Sequence, residues 1–224
     1  MMTVQEAIVA RHSVRKYLDK PIEADVVERL NEEIARCNQE GGLHIQLVTN
    51  EPKAFSGSNA FTYGKFSGVS NYLAMVGPKG ADEAIGYYGE RLVLLAQTLG
   101  LNSCWVGLSF KKQPDQYTIA DGEKLHCVIA LGYGATQGVQ HPMRQMEKYV
   151  KLTGEMPDWF RRGMEAALLA PTAVNQQKFE FKLIGDHSVA ARARFTLIGY
   201  GMMDLGIVKY HFEVAAGKEN FSWK

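Results

Sequence analysis

Ile85-Gly86-Tyr87-Tyr88-Gly89-Glu90-Arg91-Leu92-Val93-Leu94-Leu95-Ala96-Gln97-Thr98-Leu99-Gly100 is the most strongly periodic stretch of the sequence. Ile85, Tyr88, Leu92, Leu95 and Leu99 step by three and four, which lays one apolar stripe along a helix that Gly100 ends. Just upstream, Tyr72–Val76 is a short apolar run stopped by Gly77-Pro78, the pattern of a buried strand. Downstream, Ser103–Val106 and His126–Leu131 predict two more strands. Toward the N-terminus, Thr3 and Glu6 have capping-box spacing, so a first helix is expected from Val4 to Arg11. Pro21 and Glu23 open a second, carrying Val27, Leu30 and Ile34 to a break at Gly41-Gly42. Leu43, Ile45 and Leu47 then alternate as strand residues do.

From Gly132 to Gly154 periodicity fades, which predicts a connection between two halves. The order then begins again. A helix is expected over Asp158–Leu169, then a strand in which Phe179, Phe181 and Leu183 alternate, then a second long helix carrying Ile198, Met202, Leu205, Val208 and Phe212. Ile198-Gly199-Tyr200 repeats Ile85-Gly86-Tyr87 at the start of the long helix. Repeated order suggests duplication of one supersecondary unit. Residues 1–150 are therefore expected to form a first half-unit and 151–224 a second, shorter one.

The 224 residues are 46% hydrophobic and 22% charged, the balance of a globular protein. A net charge of +1 provides no field to attract nucleic acid or an anionic membrane, so a bound anion needs a local cluster. Cys37, Cys104 and Cys127 are odd in number and widely spaced, which predicts neither a disulfide framework nor a metal site. No run of 18 apolar residues occurs, and the first residues lack a secretory apolar segment; a cytoplasmic protein is expected.

Four local constellations offer chemistry. Arg11-His12-Ser13-Val14-Arg15 presents forked donors and a hydroxyl suited to phosphate, though a basic turn at a helix C-terminus is also plain surface design. Ala170-Pro171-Thr172-Ala173-Val174-Asn175-Gln176-Gln177 stops a helix and follows it with amides that can read the edge of a heterocycle, or merely turn the chain. Gly100-Leu101-Asn102-Ser103-Cys104-Trp105-Val106-Gly107-Leu108 delivers a second glycine where backbone can approach a flat ligand, while Trp105 fits a core position equally well. Ala130-Leu131-Gly132-Tyr133-Gly134, followed by Arg144, is glycine-rich but lacks a nucleotide-triphosphate loop ending.

Together these segments resemble the nitroreductase family of FMN-dependent NAD(P)H oxidoreductases. Its Arg-x-Ser-x-Arg turn is matched by Arg11, Ser13 and Arg15, with Asp19-Lys20-Pro21 following. Its Ala-Pro-Ser-x-x-Asn-x-Gln segment is matched by Ala170, Pro171, Thr172, Asn175 and Gln177. Its Gly-Leu-Gly-x-x-Trp-x-Gly segment is matched by Gly100, Leu101, Trp105 and Gly107, with Asn102 in place of a glycine, and its Ala-x-Gly-Tyr exit by Ala130, Gly132 and Tyr133.

In ordinary members the Ala-Pro-Ser segment follows the second helix. Here Ala35–Gly42 holds that place without the pattern, and the intact version lies in the second half. The resemblance thus implies a divergent single-chain branch, an α+β fold of the α-β-α sandwich type with mixed central sheets and an internal pseudo-dimer, holding one FMN per chain.

It further implies that Arg11, Arg15 and Arg144 hold the FMN phosphate, with His12 and Ser13 near the phosphate or ribityl chain. Pro171, Thr172, Ala173, Asn175 and Gln177 would line the ring from the other half. Backbone near Val106, Gly107 and Leu108 would face flavin N5, and Lys65 the pyrimidine edge. No catalytic side chain is implied: hydride would pass from NADH or NADPH through the flavin to a small acceptor such as a nitroaromatic or quinone. Fusion of the dimer halves implies a monomer, with further association of the fused unit left open. Beside this reading stand a same-fold enzyme with another reaction, such as reductive dehalogenation, a flavin-binding redox sensor without turnover, and a flavin-free structural relic.

Overall fold

The computed structural model describes residues 2–56 and 65–224. Helix α1 (Val4–Ala10) starts as its capping box dictates: the Thr3 hydroxyl accepts from the Glu6 N–H, and the Glu6 carboxylate accepts from the Thr3 N–H. Helix α2 (Ala24–Gly41) buries Val26, Leu30, Ile34 and Cys37 and ends where Gly42 takes the left-handed conformation. Strands β1 (Gln46–Val48), β2 (Asn71–Pro78), β3 (Asn102–Val106) and β4 (Glu123–Gly132) form an antiparallel sheet in the order β1-β2-β4-β3. β2 is buried on both faces over Asn71–Gly77, which is why its sequence reads as an unbroken apolar run rather than an alternation.

A second sheet has the order β5-β6-β7-β8, from β5 (Val150–Lys151), β6 (Phe179–Ile184), β7 (Ser188–Ala193) and β8 (Ser222–Trp223). Its outer pairs are parallel and its central pair antiparallel, so it is mixed. Helix α4 (Asp158–Leu169) packs here, and Phe160, Phe179, Phe181 and Phe212 fill an aromatic core between this sheet and helix α5 (Gly201–Ala216).

Helices α3 (Asp82–Thr98) and α5 make the most extensive helix contact and join the two sheets. A Cβ on Gly86 would lie 2.0 Å from the Met203 carbonyl oxygen, and one on Gly206 would lie 2.0 Å from that of Glu83. Only glycine admits so close a crossing. The architecture is α+β, with five helices and two sheets among the described residues, one of them mixed.

Several sequence expectations shift. The α3 stripe is one of two buried faces: Gly86, Glu90, Val93 and Gln97 are buried as well, because α3 meets a sheet on one side and α5 on the other. Ile85-Gly86-Tyr87 lies in the first turns of α3, whereas Ile198-Gly199-Tyr200 precedes α5; the crossing pairs Gly86 with Gly206 instead. β1 starts later than Leu43 because the Asn38 side chain takes up both the N–H and the C=O of Ile45. The connection over 132–154 contains β5, and β7 and β8 were unforeseen; the Ala-rich Ser188–Ala193 segment has weak strand character of its own and is held by pairing to β6. No helix among the described residues is long and apolar enough to cross a membrane.

Candidate functional site

A cavity of about 400 Å³ opens where the C-terminal end of β3 meets the start of α5. Its base is Cys104–Ser109 with Cys127, and its walls come from opposite ends of the chain: Arg11, Ser13 and Arg15 on one side, Pro171–Asn175 on the other. Val139–Pro142, from the stretch between β4 and β5, closes a third side, and Tyr200, Met203 and Asp204 complete it.

The arginine turn is fixed by backbone. Arg11 caps α1, its N–H donating to the Ala7 carbonyl, and the Val14 N–H donates to the Ser103 carbonyl at 3.0 Å, which lays the turn along β3. Arg11 is thereby buried, 3% exposed, with its Nε hydrogen-bonded to nothing. The nearest carboxylate oxygen, Glu90 Oε1, is 3.7 Å from that Nε, too far for a hydrogen bond. Burial pulls the Arg11 guanidinium down from its ordinary range, against the opposing pull of Glu90 and Cys104.

Glu90 is itself fully buried on α3 and is shared by three elements. Its carboxylate accepts from Trp105 Nε1 of β3 at 2.8 Å and meets His211 Nε2 of α5 at 2.8 Å. The other imidazole nitrogen, Nδ1, lies 3.0 Å from the Ala166 carbonyl, which can only accept, so Nδ1 carries a proton. Burial pushes the Glu90 carboxyl up, but His211, Arg11 and Trp105 together hold it below the usual carboxylate range.

On the opposite wall, Pro171 cannot extend α4, and Ala173–Asn175 form a single tight turn. Gln177 is 2% exposed behind the wall, donating to the Pro142 carbonyl at 2.8 Å and accepting from the Tyr149 hydroxyl at 3.1 Å. Asn175 donates to the same Pro142 carbonyl at 3.2 Å. Asp204, in the first turn of α5, accepts from the Ala173 N–H at 2.9 Å and from Gln176 Nε2 at 2.6 Å. Burial raises its carboxyl to about 6 despite those two donors. The Tyr200 hydroxyl stands over Gly107, where a Cβ would lie 2.5 Å from it.

The cavity thus gathers Arg11, Ser13, Arg15, Val106, Gly107, Leu108, Pro171, Thr172, Ala173 and Asn175. Of the other predicted residues, Gln177 lies just behind the wall and His12 is half-buried beside it. Lys65 is exposed next to Phe66, which does line the cavity, and Arg144 is exposed outside the wall. Glu90, His141, Tyr200 and Asp204 were not anticipated. For Glu90 a signal existed: Gly86, Glu90, Val93 and Gln97 repeat at helical spacing beside the apolar stripe.

One α+β fold with two four-stranded sheets thus brings segments far apart in the chain together around a single cavity. The chain belongs to the family described as "Putative TM nitroreductase", whose model matches residues 3–216. Among solved structures it is similar to a nitroreductase-type protein of Thermotoga maritima, with 22% identity and a TM-score of 0.65 over 97% of this chain and 85% of that one. A nitroreductase-type protein of Desulfovibrio desulfuricans, solved in complex with FMN, is similar over 70% of this chain and 99% of its own, with 17% identity and a TM-score of 0.51. No curated protein matches.

Proposed function

We propose that this chain is an FMN-dependent oxidoreductase that passes hydride from NADH or NADPH to a small acceptor such as a nitroaromatic or quinone. The observation that carries the reading is one cavity walled by the Arg11–Arg15 turn and by Pro171–Asn175, segments some 160 residues apart in sequence. The residues fit the cofactor. A buried guanidinium whose Nε has no hydrogen-bond partner is suited to an anionic group, and a volume of about 400 Å³ falls within the range of roughly 300–1,000 Å³ usual for such sites.

In this reading Arg11 and Arg15 bind the phosphate, with Ser13 and His12 beside it. Pro171, Thr172, Ala173 and Asn175 line the ring, and Gln177 holds Asn175 in place by donating to its side-chain oxygen at 2.6 Å. The backbone of Val106, Gly107 and Leu108 orients the reacting edge, where the absence of a side chain on Gly107 permits close approach. FMN, when bound, supplies the hydride chemistry, and the chain supplies binding, orientation and exclusion of water. Leu108, Val139, Val174 and Ile198 line the cavity and are also exposed, an apolar rim suited to a flat, weakly polar acceptor. Lys65 and Arg144, outside the cavity wall, would reach the cofactor only by side-chain rearrangement.

The reading extends to organisation. Residues 1–150 and 151–224 act as two half-units of an internal pseudo-dimer, each contributing one wall, so that one chain holds one FMN as a monomer. The test is a visible spectrum and acid-released flavin of the purified chain. One FMN per chain, bleached by NADH or NADPH and re-oxidised by a quinone, is expected. A colourless protein that takes up no FMN on reconstitution overturns the cofactor, and a bound flavin that neither nucleotide reduces overturns the reaction.

A further inference from the structure

Among the described residues five non-glycine positions have positive φ, and four of them fall in two short segments at the cavity: Val174 (46°), Asn175 (54°) and Gln177 (46°) in one, Tyr200 (59°) in the other. For a β-branched or bulky residue this backbone is costly and persists only where the surroundings over-determine it. What over-determines it here is a set of side chains. Gln176 Nε2 donates to the Gly199 carbonyl at 3.3 Å, and the Thr196 hydroxyl donates to Gln176 Oε1. Asp204 receives the Ala173 N–H and Gln176 Nε2 on its two oxygens, and its own N–H donates to the Tyr200 carbonyl at 2.8 Å. The buried carboxylate thus holds the first strained segment directly and reaches the second through the Gln176 amide.

We propose that Asp204 is a positioning residue, whose carboxylate orients the Gln176 amide, clamps residues 172–177 through it to residues 196–200, and so sets the wall against which the flavin and its substrates lie. The clamp rests on the flavin reading of the cavity for its purpose, though not for its existence. It requires a carboxylate because both partners are donors. An asparagine at this position offers one acceptor and one donor, and so opposes its NH₂ to that of Gln176. Turning the Gln176 amide over relieves that clash but sets its oxygen against the Gly199 carbonyl, and residues 196–200 come away.

Other ionisable groups nearby do not supply the effect. Arg11, Arg15, His141, Cys104, Cys127 and Tyr200 share the cavity without a hydrogen bond or ion pair to Asp204. On α3, Glu83 pairs with Lys209 and Asp82 with His126 and Lys124; next to β7, Arg194 pairs with Glu180.

Amide hydrogen exchange of the full chain, read with FMN affinity from flavin fluorescence, tests the proposal in the wild type, Asp204→Asn and the double variant Asp204→Asn/Gln176→Glu. In Asp204→Asn the segments 172–177 and 196–200 should exchange about tenfold faster and FMN should bind about ten- to a hundredfold more weakly, the scale of a lost charge-assisted hydrogen bond. The double variant returns a carboxylate that accepts from the amide introduced at position 204 but sets an oxygen against the Gly199 carbonyl, so residues 172–177 should recover while residues 196–200 stay loose. Gln176→Ala, which removes the amide standing between the carboxylate and residues 196–200, should loosen residues 196–200 in the same way and keeps the proposal testable if Asp204→Asn fails to fold. Unchanged exchange in these segments in the folded variants overturns the clamp. Faster exchange with unaltered FMN affinity and flavin spectrum overturns its role in the site. A wild type that binds no FMN overturns the proposed function alone, and the exchange measurements still decide the clamp.

Discussion

Arg11 and Glu90 sit side by side in the interior without a hydrogen bond between them, and each takes its meaning from the other's remaining partners. Glu90 is satisfied by Trp105 and His211, which leaves the guanidinium available to an anion in the cavity. Arg11→Ala should weaken FMN binding by about ten- to a hundredfold while the chain stays folded, measured by fluorescence titration and circular dichroism. Glu90→Leu should be more damaging to the fold, costing about 3–5 kcal/mol in urea unfolding, because it leaves the buried Arg11 guanidinium without its counter-charge and His211 Nε2 and Trp105 Nε1 without their partner. Asp204 carries a pH signature of opposite sense. Its carboxyl holds a proton up to about pH 6 in the folded chain but releases it near 3.8 when unfolded. Its protonation therefore stabilises the fold below pH 4, and that contribution is lost as pH rises through 6. The gap between the folded and unfolded carboxyl corresponds to about 3 kcal/mol at most. Moved from pH 8 to pH 4, the wild type should therefore gain melting temperature relative to Asp204→Asn, whose amide does not titrate; a difference that does not change with pH would contradict this.

At the scale of elements, the α3–α5 crossing depends on two glycines. Gly86→Ala and Gly206→Ala each place a methyl group against a carbonyl oxygen and should cost at least about 1–3 kcal/mol, read as a drop in melting temperature. Elements with strong local signals were legible in the sequence: the Thr3–Glu6 capping box, the helix over Asp158–Leu169, and the buried β2 and β4. β7 and β8 were not, since two residues of β8 and an alanine-rich β7 gain strand character only from their neighbours. The site divides the same way. Arg11–Arg15, Val106–Leu108 and Pro171–Asn175 are contiguous motifs that sequence alone could carry. Glu90 and Asp204 act through partners brought in by folding, as with His211, 121 positions from Glu90.

For the whole molecule, the proposed half-units should fail separately. Residues 1–150 carry the arginine turn without the opposite wall, and α3 would lose the cover of α5. That fragment should aggregate or self-associate and bind no FMN, whereas mixing it with residues 151–224 should restore a yellow complex. A soluble, monomeric 1–150 fragment that binds FMN stoichiometrically would refute the shared site.

The stretch around Val139–Pro142 both joins the two walls covalently and forms a side of the cavity. A site completed by a second subunit comes apart when its protein is diluted below the dissociation constant of the dimer. Here the walls meet at an effective concentration fixed by their tether, on the order of millimolar for short flexible links. Cofactor retention should therefore be indifferent to protein concentration down to the nanomolar range, where the intrinsic affinity for FMN alone sets occupancy. In the proposed monomer, occupancy at low abundance would depend on FMN supply and not on the meeting of two chains.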